Sequence, residues 1–297
     1  MEISEYHPFK SLNSKNNYFA FEKKMLKKWP VISEEKTVKT SYGDTFMRIS
    51  GPADGSPLIL LPGGGSNSLI WQANIQAFSS IYRTYALDNI YDFGRSVYTG
   101  KMETHDDFSQ WLDELFDKLS LRQNIRIAGY SFGGWVTANY AVKHPKRLCR
   151  VILIAPAFSI HNITKAFIWD MILSILPFKY TRKCSLYSVM KDLVKSGKEG
   201  KEIVDDRVEY FNLSMKSFKF KLGVPPNKLT DAELKNLTMP VLFLIGENDA
   251  VCKPDLAIER LNKVAPEIKT ELFKNTGHDL MFTHTDKINK LMLDFLR

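Results

Sequence analysis

The sequence is short of several features, and each shortage removes a class of function. Cysteine is scarce, with three in 297 residues. Cys149, Cys184 and Cys252 make no C-x-x-C pair and cannot all pair within one chain, so no disulfide framework is expected and a reducing compartment fits. Long apolar runs are missing too: the most apolar stretch, residues 166–178, is interrupted by Asp170 and is too short to span a bilayer. The start, Met1-Glu2-Ile3-Ser4-Glu5, is acidic and has neither the basic opening nor the apolar centre of a signal peptide. These absences predict a soluble, cytoplasmic protein without a membrane span.

The charge is +8, from 41 basic and 33 acidic residues, yet it is not concentrated. Lysines are scattered and often sit beside acids, as in Lys198-Glu199 and Lys201-Glu202, which reads as solvated surface. Without a basic stripe or a recognisable reading motif, no nucleic-acid partner is expected. There is no H-E-x-x-H, no Cys/His cluster and no G-K-[ST], so neither a metal nor a phosphate-cradling loop is expected, and no cofactor.

What is present is enough apolar residue, 44%, to bury a large core in one α/β domain or in a core domain with an insertion. Residues 1–35 read as an arm docking on that core, with Phe21, Met25 and Trp29 on one helical stripe. Residues 36–40 and 45–49 flank Tyr42-Gly43-Asp44 as a hairpin, so an antiparallel edge should start the sheet. Strands at 58–61, 82–87, 125–128, 150–155, 241–246 and 270–273 then alternate with helical patterns at 108–119, after 131, 255–264 and from about 286. That alternation predicts a mostly parallel, doubly wound sheet. It stops between about 157 and 236, where large apolar residues at helical spacing predict an inserted helical cap. The core is therefore expected from 36–156 and 237–297.

The stretch Ile125-Arg126-Ile127-Ala128-Gly129-Tyr130-Ser131-Phe132-Gly133-Gly134-Trp135 carries the chemistry. An apolar strand runs into a G-x-S-x-G pentapeptide and on into a helix, which puts Ser131 on a sharp turn. Gly129 and Gly133 supply the missing side chains that such a close strand-to-helix approach requires. The hydroxyl then stands at a helix N-terminus, with the Phe132 amide aimed where an oxyanion would form. Chance alone produces the pentapeptide roughly 0.1 times in a chain this long, so its context has to carry the reading.

A nucleophilic serine needs a base and a group to orient that base, both from the carboxyl ends of later strands. The strand 241–246 leads into Gly246-Glu247-Asn248-Asp249, and the strand 270–273 into Asn275-Thr276-Gly277-His278. Asp249 and His278 therefore complete the order Ser, Asp, His. Glu247 and Asp279 are rival orienters. His7, His105, His144 and His161 fall outside such loops, and His284 lies near a helix start. The other glycine-rich turn, Gly63-Gly64-Gly65, resembles a dinucleotide fingerprint except that Ser68 stands at the third glycine. As an oxyanion loop it presents the Gly64 amide opposite that of Phe132.

With these residues assembled, the chain resembles the α/β-hydrolase superfamily over nearly all of residues 36–297. Ser131, Asp249 and His278 match that family's nucleophile, acid and base. The Trp29-Pro30 arm, the Leu-Pro-Gly-Gly-Gly loop and Asp92-Phe93-Gly94-Arg95-Ser96 are similar to bacterial carboxylesterase-like hydrolases, with the departure that Pro62 stands where the family commonly has histidine. The resemblance implies hydrolysis of a small, partly apolar ester through an acyl-enzyme. Thioester, lactone, aminopeptidase and C–C hydrolase chemistry use the same triad, and some relatives only bind ligands. Phe158, Phe167, Trp169, Met171 and Phe178 are available to line an acyl pocket, although most are expected to pack the cap onto the core. Lys179, Arg182 and Lys183 read as a solvated basic face.

Overall fold

The computed structural model describes residues 4–219, 221 and 223–297, so the reading of residues 1–3 lies outside the described residues. Among the described residues nine strands form one sheet: β1 (Glu34–Thr40), β2 (Gly43–Ser50), β3 (Pro57–Leu61), β4 (Arg83–Leu87), β5 (Val97–Tyr98), β6 (Ile125–Tyr130), β7 (Leu148–Ile154), β8 (Val241–Gly246) and β9 (Lys269–Phe273). Their order is β1-β2-β4-β3-β6-β7-β8-β9, with β5 added to β2. β2 pairs antiparallel with β1, β4 and β5, while every pairing from β4 through β9 is parallel. The central strands are buried on both faces, which is why Leu58-Ile59-Leu60-Leu61 and Val241 to Ile245 read as unbroken apolar runs.

Twelve helices are described, beginning with α1 (Leu12–Leu26), α2 (Ile75–Ser79), α3 (His105–Lys118) and α4 (Phe132–Lys143). Five follow between β7 and β8: α5 (Lys165–Ile175), α6 (Lys179–Val189), α7 (Lys191–Lys195), α8 (Lys198–Ser217) and α9 (Asp231–Lys235). The remainder are α10 (Pro254–Val264), α11 (Leu280–Thr283) and α12 (Thr285–Leu296). Helices cover both sheet faces and seal two apolar layers, one holding Trp111 and Trp135 and the other Trp71. No described helix is long and apolar enough to cross a membrane.

Two local features depart from the sequence reading. β6 runs on to Tyr130, because Gly129 pairs with Leu61 on one side and Tyr130 with Ile154 on the other. The strand thus ends directly against Ser131. In α1 the buried face centres on Tyr18 and Glu22, with Phe21 and Met25 half-buried, and Trp29 is buried beyond the helix end. The reason is Arg48 on β2, whose guanidinium lies 2.9 Å from the Glu22 carboxylate with both side chains out of solvent. A buried charge is tolerable when it is paired in this way. Around it Phe9, Tyr18 and Phe218 stack with ring centroids 4.3 to 5.5 Å apart. The Tyr18 hydroxyl meets that of Tyr210, joining α1 to α8.

Candidate active site

Ser131 sits between β6 and α4 at φ 53° and ψ −115°, a region that costs a non-glycine residue on the order of 1–3 kcal/mol. Its backbone is held by three hydrogen bonds: its amide donates to Ile154, and its carbonyl accepts from Trp135 and Ala157. A Cβ on Gly129 would collide with the Gly133 carbonyl, and one on Gly133 with the carbonyls of Leu61 and Pro62. Only glycine fits at these two points, so the pentapeptide is dictated by the approach of β6, α4 and the loop after β3.

The three residues singled out in the sequence meet at the carboxyl ends of β6, β8 and β9. His278 Nε2 lies 2.9 Å from Ser131 Oγ, and His278 Nδ1 lies 2.9 Å from Asp249 Oδ2. A carboxylate only accepts, so in the neutral imidazole the proton belongs on Nδ1 and Nε2 is left to accept from the serine. The other Asp249 oxygen accepts the amides of Val251 at 2.7 Å and Cys252 at 3.1 Å. Both oxygens are thus committed and the carboxylate cannot rotate. His278 and Asp249 are buried, whereas Ser131 opens on the cavity.

The rival acids are engaged elsewhere. Glu247 accepts from the Asn275 amide. Asp279 accepts from the amides of Leu193 and Gly277 and from the Thr276 hydroxyl, and burial pushes its carboxyl up. The Cys252 thiol beside the relay is also pushed far up, by burial first and by Asp249 second, which keeps it protonated and unreactive.

Gly64 faces Phe132: a Cβ on Gly64 would lie 3.4 Å from the Phe132 Cβ. Phe132 is the first residue of α4, where an amide has no partner within the helix. Among the described residues the Gly64 amide donates to no protein group, whereas the neighbouring Gly65 amide donates to Asp92 at 2.9 Å. The loop is pinned further by the Ser66 hydroxyl on the Gly63 carbonyl, at 2.6 Å.

A cavity of about 310 Å³ opens over these groups, lined mostly by apolar side chains. Of the five apolar residues named for a pocket, Phe167 and Met171 line it. Phe158 packs against the core, and Trp169 and Phe178 are 65% and 63% exposed, which corrects the expectation that such side chains would mostly pack inward. The basic face is corrected at one residue. Arg182 is buried and donates to Asn212 and Ser174, whereas Lys179 is exposed and Lys183 pairs with Asp205 at the surface.

Several side chains in the site carried no motif. The Tyr130 hydroxyl donates to the His278 carbonyl at 2.9 Å, bracing the loop that holds the imidazole, and burial pushes its own pKa up so that it stays a donor. Met25 and Lys28, at and just past the end of α1, reach the cavity, and so do Tyr210 and Arg207 from α8. The signal for the last two was present as helical spacing: Ile203, Asp206, Arg207, Tyr210 and Phe211 form one stripe.

The family described as serine aminopeptidase, S33, matches residues 56–285. Carboxylesterase YbfK of Bacillus subtilis (strain 168) is 31% identical over 302 aligned positions, covering 99% of this chain and 98% of that protein. The crystal structure of carboxylesterase CesB (YbfK) from Bacillus subtilis superposes with a TM-score of 0.85 at 30% identity, over 96% of this chain and 99% of that one. The crystal structure of naproxen esterase (carboxylesterase NP) from Bacillus subtilis gives 0.88 at 27% identity, with both chains covered completely. A family match across most of the chain, a relative of this identity along its whole length and the parallel sheet described above lead to one assignment: the chain belongs to the α/β-hydrolase superfamily, in the family described as serine aminopeptidase, S33.

Proposed function

We propose that the chain is a serine esterase that cleaves a small, partly apolar carboxylic ester. The observation that carries this reading is the unbroken hydrogen-bonded line from Ser131 through His278 to Asp249, opening into a mostly apolar cavity. The similarity to carboxylesterases along the whole chain supports the ester as the bond.

In this reading His278 Nε2 takes the Ser131 proton as the hydroxyl attacks the acyl carbon, and Asp249 stabilises the imidazolium that forms. The Gly64 and Phe132 amides receive the developing oxyanion, each worth about 2.7–4 kcal/mol in such sites. The imidazolium protonates the departing alcohol, and water activated by His278 then cleaves the acyl-enzyme. The sequence of steps asks for no cofactor. Helices α5 to α8 act as a cap in which α5, α6 and α8 line the acyl site, α9 packs its Leu234 into the main core, and α1 with its following turn is an arm docked beside the site. The partner is a small molecule rather than nucleic acid, and the cysteine thiols suit the cytoplasm.

Peptide cleavage from an amino terminus would need a carboxylate to receive the ammonium group. Asp206 is the one carboxylate lining the cavity among the described residues, and it is paired with Lys28. The ester reading is therefore favoured over the aminopeptidase one. Its test is hydrolysis of p-nitrophenyl esters of increasing acyl length by wild type and by Ser131→Ala. The variant should lose about 10⁴-fold or more in kcat. Equal turnover by the two proteins overturns the proposal.

A further inference from the structure

The proposed ester chemistry makes no use of Arg207. This guanidinium reaches the cavity from the middle of α8, on the same stripe as Ile203, Tyr210 and Phe211. It makes no ion pair or hydrogen bond among the described residues, and its Nε is sealed from solvent with no acceptor. It lies 4.4 Å over the Phe282 ring, which also lines the cavity, and burial pulls its pKa down.

The groups that would ordinarily neutralise it are committed to others. Asp206, adjacent on α8, is paired with Lys28. The Tyr210 hydroxyl is shared with Tyr18, and the Tyr130 hydroxyl donates to His278. A half-buried guanidinium whose Nε is sealed from solvent and has no acceptor is unfavourable, and a planar fork of donors fits a carboxylate in two parallel hydrogen bonds. The rest of the lining is largely aliphatic and aromatic, suited to a hydrocarbon body.

We propose that Arg207 receives a carboxylate on the substrate, so that the natural ester is an anionic one: an apolar body with the scissile ester at one end and a free carboxylate at the other. This rests on the serine-esterase reading of Ser131. The line from Ser131 through His278 to Asp249 is complete without Arg207, so the proposal gives Arg207 a part in binding and specificity rather than in breaking the bond.

The test compares kcat/KM for carboxylate-bearing esters and for neutral esters of the same length, in wild type and Arg207→Gln. One panel is the monomethyl esters of succinate, glutarate, adipate and suberate; the other is acetate esters of ω-hydroxy acids, which put the charge on the alcohol side. Taking the ratio of anionic to neutral substrate removes any general effect of the substitution on the site. In at least one panel the ratio should fall about tenfold to a hundredfold in Arg207→Gln, the range carried by a charge-assisted hydrogen bond, with the change in KM rather than kcat. Arg207→Lys, which keeps the charge without the fork, should recover part of it. In wild type the ratio should decline as salt rises.

An unchanged ratio in both panels overturns the inference and leaves the esterase reading standing. If wild type cleaves no ester of either kind, the esterase reading fails, and equilibrium binding decides the role of Arg207. Calorimetric titration of adipate and suberate into Ser131→Ala should show binding that is lost in Ser131→Ala/Arg207→Gln. Equal binding by the two, or none by either, refutes the role of Arg207.

Discussion

Replacing Asp249 by asparagine should nearly abolish turnover while leaving the fold in place, and the local hydrogen bonds say why. Oδ1 of Asp249 accepts two backbone amides, from Val251 and Cys252, and Oδ2 faces His278 Nδ1. An asparagine must keep its carbonyl oxygen on the two amides, because its NH₂ group cannot accept from them. Its NH₂ is then aimed at Nδ1, which has to become an acceptor, and the imidazole proton moves to Nε2. In that tautomer the base confronts Ser131 Oγ with a proton instead of a lone pair. The loss in kcat should be about 10⁴-fold, or about 5.5 kcal/mol of barrier. Asp249→Ala is a different perturbation. It strands two buried amides and an imidazole N–H, at roughly 1–3 kcal/mol each, so it should lose stability as well as activity. The assay is kcat on a p-nitrophenyl ester beside the urea midpoint for both variants. If Asp249→Asn keeps more than about a tenth of wild-type kcat, the argument from the two amides is wrong.

Breaking the Glu22–Arg48 pair with Glu22→Ala should destabilise the chain by about 1.5–3 kcal/mol, since the buried guanidinium loses a charge-assisted hydrogen bond and keeps Glu35 at 3.5 Å and the Ser68 hydroxyl. Glu22→Leu with Arg48→Met should restore most of that loss; a double variant no more stable than the single one counts against the pair, as read from urea midpoints. Burial pushes the Asp92 carboxyl up to about 6, against the amides of Phe93 and Gly65 and the Lys221 charge, which favour ionisation. The native state then holds a proton that the unfolded chain releases near pH 4, so stability should fall as pH rises from about 4 to 6, by about 2–3 kcal/mol. Asp92→Asn should remove that slope, and identical slopes in the two proteins would contradict it.

The relay was legible because each member sits where chain geometry leaves little choice. Gly129 and Gly133 mark a turn that excludes side chains; β8 is a short apolar run whose end announces Asp249, and β9 a short strand whose following loop carries His278. The sheet was legible for a related reason, since buried parallel strands alternate with helices along the sequence. The pairing of Glu22 with Arg48 was not, because a glutamate among lysines on a helix reads as solvated until a strand 26 residues away brings its counter-charge. Nor was the orientation of α5. A helix with large apolar residues on every face, whose one acid, Asp170, is itself buried, gives no periodicity by which to tell that Phe167 and Met171 face the cavity while Trp169 faces water. For Arg207 the helical stripe was present, but assigning it to a site requires knowing which helix crosses over the strand ends.

The relay is assembled from distant parts of the chain. Ser131 and His278 are 147 residues apart, and His278 follows β9, which is the edge of the sheet and among the described residues pairs only with β8. During refolding the serine turn requires only β3, β6, β7 and α4, whereas the base arrives when the outermost strand docks. That strand needs β8 in place, and β8 pairs with β7 across 90 residues of sequence, Val151 with Val241; long-range parallel pairing of this kind is intrinsically slow. A chain that has already buried Trp71, Trp111 and Trp135 would thus still be chemically silent. Recovery of turnover would trail recovery of tryptophan fluorescence, and the interval between them would time the closing of the sheet's last edge.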